Sequence, residues 1–499
     1  TAVKAGAIEV AASVNGQIMP PIMGAAAFII AEMLGITYFQ VITHALIPAA
    51  IAYLALFFIA HIEAHKHGLV RMEESEIPPL LDTFLSGLHF LIPIASLVYL
   101  LIIERWTAGS AVFYSVLILM LIMLGQGIRS ALMVTNETIF KGFVDGLKNI
   151  AKGMIRGAIN MVSVAVAIAC AGIIVGAVAS TGLSNAMVEV VEVISGGNFY
   201  VLLVMVMLLC LILGLGLPTT ANYLVVAALL ANVIAEIGGA SGYILPLIAV
   251  HLFVFYFGLM ADVTPPVGLA AYAASGISRA DPIKTGVQAF WYEIRTAILP
   301  FVFIFNPELL LIGVTSFWHG LTVFLFSLIA ILCFTAATQG WLVTKLKLHE
   351  ILALLVVTVS LFRPDLITGT LSPEYLKADI TKTNNIDAKN SNVVRFKVIR
   401  NTEYGDRYKL FTFKVDGNQI VNLPKYLGFA LRKVENGYLI ESLEYNGLAK
   451  KKGLDFDDRL TSIEYQNPDL LSKYWGYVFG LVVLLTLLMV QFRRSRIKN

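Results

Sequence analysis

The 499 residues are 58% hydrophobic and only 14% charged, whereas a soluble protein of this size is about one quarter charged. Lipid must therefore be the main solvent. With 36 basic against 33 acidic side chains the charge balance is almost neutral, which argues against nucleic acid as a partner.

The chain opens at Thr1 directly into small-apolar helical sequence with no signal-peptide pattern, and so reads as a fragment or processed chain with further membrane segments upstream. A helix needs roughly 20 apolar residues to cross the hydrocarbon core. Crossings are predicted near 7–34, 42–60, 84–103, 111–128, 158–180, 244–277, 296–313, 317–340, 349–363 and 474–491. The apolar pair 199–216 and 221–237 is separated only by "LGLPTTAN", a connection too short and too apolar to emerge into water. It reads as a re-entrant hairpin, whose non-helical tip survives at membrane depth only when buried in protein or lining a wet cavity.

Short basic loops set the orientation. The terminal "QFRRSRIKN" puts the C-terminus in the cytoplasm. Counting back, the loop with Lys345 and Lys347 is cytoplasmic, as are the loop with Arg279, Lys284 and Arg295, the group Lys141, Lys148, Lys152 and Arg156, and the stretch from His61 to Arg71. This holds only if the 199–237 hairpin re-enters. The polar segment 364–472 between two spans is then periplasmic, whatever its own lysines, since long loops count little in the charge rule.

Two breaks stand out, "NGQIMPP" at Asn15–Pro21 and "ADVTPP" at Ala261–Pro266, in helices predicted to run in opposite directions. Matching breaks in antiparallel spans are the signature of an inverted-topology repeat around a midplane site. Proline removes a backbone N–H and disrupts the preceding turn, so nearby carbonyls become available to a small cation, and the half-helix that follows points its positive end at the gap. Asp262 adds a mid-helix acid, which costs roughly 2.5–3.5 kcal/mol on insertion scales. His44, His89 and His251 lie in or near spans without organised carboxylate or Cys spacing, and read as packing or interfacial residues. Cys170, Cys210 and Cys333 are isolated in apolar segments, which indicates neither disulfides nor a zinc site. No phosphate-binding Walker A pattern is present, and no nucleophile, acid pair or metal constellation within the spans suggests an enzyme.

"GAIEVAASVNGQIMPPIMGAAAFIIAE", "LGLGLPTTANYLVVAALLA" and "FGLMADVTPPVGLAAYAASGI" resemble the large membrane subunit of tripartite ATP-independent periplasmic (TRAP) transporters, from residue 1 to about 315. "GQIMPP…GAAAF" and "KHGL" are similar to the TAXI-type branch, in which small and large membrane subunits are often fused. The resemblance implies a multi-pass bacterial inner-membrane importer of organic carboxylate anions, coupled to sodium and fed by a soluble periplasmic binding protein. It also implies an elevator mechanism. The expected fold is thus an α-helical polytopic membrane protein built as an inverted-repeat elevator, with a re-entrant hairpin and discontinuous helices. Carried over by motif, Ser13, Val14, Asn15 and Gly16 form one sodium loop with a first hairpin expected upstream. Ala261, Asp262, Val263 and Thr264 form the second with Gly216, Pro218 and Thr219. Gly214, Thr219, Thr220 and Asn222, with Pro20, Pro21, Pro265 and Pro266, face the substrate. No cofactor is expected beyond Na⁺ as the coupling ion. Proton coupling and an ion channel are the alternatives.

The expected domains are a core over 1–315, additional spans over 316–363, a soluble domain over 364–472 and a terminal span over 473–499. In the third, "VVRFKVIRNTEYGDRYKLFTFKVDG" alternates like strands. "LGFALRKVENGYLIESLEYNGLAKKKGLDFDDRLTSIE" resembles a PDZ-like fold, in which the Gly-Phe loop accepts a peptide carboxylate. A peptide binder and a structural appendage both fit, and a docking role toward the binding protein is expected from its placement.

Overall fold

The computed structural model describes residues 1–70, 73, 75, 77–133, 138–181, 190–191, 193–196, 198–215, 217–243, 245–265, 268–378, 393–402, 405–415, 423–434, 437–467 and 469–498. The predicted span 7–34 is two helices, α1 (Ala2–Asn15) and α2 (Ala25–Leu34), parted by the Pro-Pro segment. Next comes α3 (Tyr38–Lys66), which opens on a Thr37/Gln40 capping box that satisfies two otherwise orphaned N–H groups. A second apolar stretch carries α4 (Leu80–Gly87) and α5 (Leu91–Val98), followed by α6 (Ala108–Met133) and α7 (Ile139–Thr181). Gly127 and Gly142 let α6 and α7 touch backbone to backbone: a Cβ on Gly127 would stand 2.5 Å from Gly142 O, the close approach that small residues permit between membrane helices. Lys141, Lys148, Lys152 and Arg156, expected as loop residues, all lie on helix α7 itself.

The predicted hairpin is present as α8 (Phe199–Leu213) and α9 (Thr219–Ala240). It leads to α10 (Leu247–Met260), a 3₁₀ turn (Ala261–Val263) and α11 (Leu269–Ser278), so the predicted span 244–277 is again a broken helix. Every residue of α10 from Ile248 to Met260 is buried. A helix apolar on all sides belongs inside protein, and α10 is the centre of the membrane core.

Helix α12 (Pro282–Phe305) starts well before the predicted 296, with Asp281 capping the Lys284 N–H and Pro at the first helical position, where its missing N–H costs nothing. Arg295 is therefore no loop residue: it is 1% exposed in the middle of a helix. Then follow α13 (Phe317–Gln339) and α14 (Leu348–Phe362), which bends by 92° into α15 (Pro364–Leu371). Seven helices among the described residues are long and apolar enough to cross a membrane, or up to eight with that bent pair as one span.

The C-terminal domain is an antiparallel sheet of β1 (Tyr375–Ala378), β2 (Val393–Thr402), β3 (Gly405–Lys414), β4 (Phe429–Val434), β5 (Gly437–Leu443) and β6 (Arg459–Gln466). The order is β3-β2-β6-β5-β4, with β1 also on β6. Val394, Phe396 and Val398 are buried in alternation, the period of a strand with one face on the core. Two helices of one turn or so, α16 (Leu423–Leu427) and α17 (Leu448–Lys451), close the domain before the terminal α18 (Tyr474–Lys498).

Candidate functional site

Both breaks and the hairpin tip converge on one carboxylate. Pro218 precedes α9, so Thr219 sits in its first turn, 5% exposed. The Thr219 hydroxyl donates to Asp262 Oδ2 at 2.5 Å, and Gln17 Nε2 donates to the same oxygen at 3.4 Å. Asp262 occupies the 3₁₀ turn after α10, and Gln17 the turn after α1. Residues 17, 219 and 262, far apart in sequence, thus meet through a half-buried acid that pairs with no cation among the described residues.

Close packing holds the tip against the second break. A Cβ on Gly214 would overlap the Ala261 side chain and lie 2.6 Å from Asn222 Nδ2. Asn222, fully buried, donates from Nδ2 to Cys210 O at 2.9 Å and so staples the two hairpin arms together. Its Oδ1 has no hydrogen-bond partner among the described residues. Thr264 turns its hydroxyl back to Met260 O at 2.8 Å, and Thr220 and Pro265 are half-buried. Gly216 and Pro266 lie outside the described residues.

The first loop differs from the expectation. Ser13, Val14 and Asn15 carbonyls accept turn hydrogen bonds from Gly16, Gln17 and Ile18 N–H, each at 3.1 Å. They are therefore not stripped of partners by the prolines, and each retains only its second lone pair for a cation. The Ser13 side chain is exposed and donates to Glu9 at 3.3 Å, and Val14 packs in the core. Pro20 and Pro21 are half-buried, and Tyr38 Oη donates to Pro21 O and Ile22 O at 3.0 and 2.8 Å.

The Asn15 side chain engages α12. Its Nδ2 donates to Glu293 Oε1 at 3.1 Å, and Glu293 faces Arg295 across 3.4 Å. All three side chains are essentially inaccessible. The Arg295 guanidinium also donates to Tyr292 O at 2.6 Å and Ala52 O at 3.3 Å, and Tyr53 Oη donates to Ala12 O at 3.1 Å, so α1, α3 and α12 are tied by one polar cluster. A buried ion pair is costly unless its remaining donors and acceptors find partners; here two backbone carbonyls take Arg295 donors, whereas Glu293 Oε2 and Asn15 Oδ1 have none among the described residues. Of the histidines, His251 meets Tyr223 Oη at 2.7 Å and His44 meets Leu310 O at 2.7 Å, contacts that join helices.

Comparison with known families fits this arrangement. The family model "Tripartite ATP-independent periplasmic transporter, DctM component" matches residues 1–318, and a "Domain of unknown function (DUF3394)" matches 320–497. The chain belongs to the DctM family. A search of curated proteins finds no match.

All the residues that meet at Asp262 fall inside the DctM match, as does the Asn15–Glu293–Arg295 cluster. The family is one of transporters, and its members work with a periplasmic substrate-binding protein. Sequence reasoning named Thr219 and Asp262 but missed Gln17, Glu293 and Arg295. The signal for the last two was present in "FWYEIRTAILP", an acid and a base inside an apolar run, which membrane helices keep only for a reason.

Proposed function

We propose that this DctM-family chain is the permease component of a secondary active, binding-protein-dependent importer of organic carboxylate anions, coupled to sodium, and of the TAXI-type fused form. The observation that carries this reading is the meeting of the hairpin tip, through Thr219, with both helix breaks at Asp262. Half-helices that end in a protein interior leave carbonyl oxygens and positive N-terminal ends at one depth, a suitable environment for a small cation and an anion together. Asp262, with the Ala261 and Thr264 backbone, serves the cation beside the tip. Asn15 and the second lone pairs of the 13–16 carbonyls serve another. The substrate lies where Thr219, Thr220 and Asn222 of the tip approach the proline segments.

The chain sits in the bacterial inner membrane with a cytoplasmic C-terminus. The sheet domain is then on the periplasmic face, where a binding protein docks. Hairpin and broken helices move together as an elevator against the remaining helices. Proton coupling is the second reading, favoured by the same observation: Asp262 is held by two neutral donors and, among the described residues, by no cation.

Uptake into proteoliposomes, with sodium replaced by choline at constant pH, separates the two. Loss of uptake in choline supports sodium coupling. Uptake that persists and follows an imposed pH gradient assigns the carboxylate to protons, and uptake indifferent to both gradients removes coupled transport altogether.

A further inference from the structure

The edge strand of the C-terminal sheet leans on the outer end of the hairpin. Arg395 of β2 donates from Nη2 to Gly242 O at 3.4 Å, just beyond α9, and the Leu410 side chain of β3 covers Gly242. Between the two parts lies a cavity of about 510 Å³. Arg395, Lys409, Lys414 and Lys452 line it from the domain, and among the described residues Glu236 is the acidic side chain of its lining. The basic side chains of Arg395, Lys414 and Lys452 on one wall give a field that attracts anions, and the cavity walls focus it.

The site is also shaped. The Arg395 guanidinium stacks on the Tyr375 ring with Cζ 3.5 Å from the ring centre, and its buried Nε has no hydrogen-bond partner among the described residues. Stacking fixes the plane of the guanidinium, so its donors are presented as a rigid fork of the kind that matches a carboxylate or phosphate in two contacts.

We propose that this cavity binds a small molecule carrying two or more oxyanionic groups, and that the occupant clamps hairpin arm α9 to the C-terminal domain. Neither the transport site nor any residue around Asp262 contributes to it. The binding claim stands alone, whereas the consequence for transport, a hairpin held until the anion leaves, rests on the transporter reading. A free polycarboxylate and the headgroup of an anionic phospholipid share this chemistry.

Calorimetric titration of citrate, and separately of inorganic phosphate, into the full chain in sodium-free phosphatidylcholine nanodiscs tests the site. Saturable binding is expected, at least tenfold weaker in Arg395→Gln and in the Lys414→Gln/Lys452→Gln double variant, and only partly weakened in Arg395→Lys. Asp262→Asn should leave it unchanged, which separates failure here from failure of the transport reading. Repeating the titration in phosphatidylglycerol nanodiscs distinguishes the sources: citrate excluded there by a lipid, in an Arg395-dependent way, makes the headgroup the occupant. The proposal is overturned if neither anion binds in phosphatidylcholine, or if binding survives Arg395→Gln. Binding that falls only with Asp262→Asn overturns it equally, since the anion is then in the transport site. Thermal unfolding of each variant confirms that the sheet domain remains folded.

Discussion

Replacing Thr219 by Val removes one hydroxyl and almost nothing else. Valine fills the same volume in a position 5% exposed, so no cavity opens. What is lost is the 2.5 Å hydrogen bond to Asp262 Oδ2, leaving that carboxylate with Gln17 at 3.4 Å. A hydrogen bond to a charged group contributes about 1.5–3 kcal/mol, and each 1.4 kcal/mol is tenfold in an equilibrium. Because Asp262 is half-buried and water can replace part of the contact, the lower end applies, near tenfold. That energy holds the hairpin tip to the second break, so the sodium concentration for half-maximal uptake should rise by about tenfold in Thr219→Val and return toward the parent value in Thr219→Ser. Sodium titrations of uptake in proteoliposomes, at matched protein incorporation, measure it. Thr219→Val and parent curves that coincide would refute the assignment of this contact to coupling. A cycle with Asp262→Asn adds a check, since residues in direct contact must show non-additive effects.

Gly214→Val should abolish uptake with expression retained, because a side chain there collides with Ala261 and Asn222; uptake above a tenth of the parent rate would contradict the close packing of the tip. Arg295→Met leaves Glu293 as a lone buried charge and should lower stability by about 3–5 kcal/mol, seen as aggregation on thermal challenge, with partial recovery in the Glu293→Gln/Arg295→Met pair. Tyr445, 91% exposed in the C-terminal domain, should react as Tyr445→Cys with an impermeant thiol reagent on intact spheroplasts; labelling only after lysis would reverse the proposed orientation. A hydrogen bond from Lys450, helped by the Phe456 N–H, holds the Asp455 carboxyl below its ordinary value. With the folded value below the unfolded one, this contact stabilises the domain at neutral pH and fades as pH falls from the ordinary carboxylate range through the lowered value. Hydrogen exchange over 448–458 should accelerate across that window, after correction for intrinsic rates, and less so in Lys450→Met.

The breaks and the hairpin were legible because proline, glycine and polar residues interrupt long apolar runs, and backbone chemistry ties those residues to non-helical turns. Asp262 was legible for a related reason: an acid at membrane depth is costly enough to demand a partner. Gln17 was not, since nothing in "NGQIMPP" tells which of its polar side chains turns toward a hairpin some 200 residues away. Arg295 was misread because the positive-inside rule treats a basic residue as a loop marker, whereas the Asp281-Pro282 cap starts α12 early enough to bury it. In the C-terminal domain, alternation announced the strands over 393–415, while the seating of Arg395 on Gly242 depends on tertiary contact that no local pattern encodes. The carbonyls of residues 13–15 show the limit of reasoning from proline alone: the chain simply re-pairs them in turns.

The most direct test of coupled transport through this site is substrate uptake by proteoliposomes containing the complete membrane component, with and without its periplasmic binding protein, under an inward sodium gradient. Uptake of an organic carboxylate should saturate, require both the gradient and the binding protein, and be lost in Asp262→Ala. Uptake that needs neither, or that is undiminished in Asp262→Ala, would contradict it.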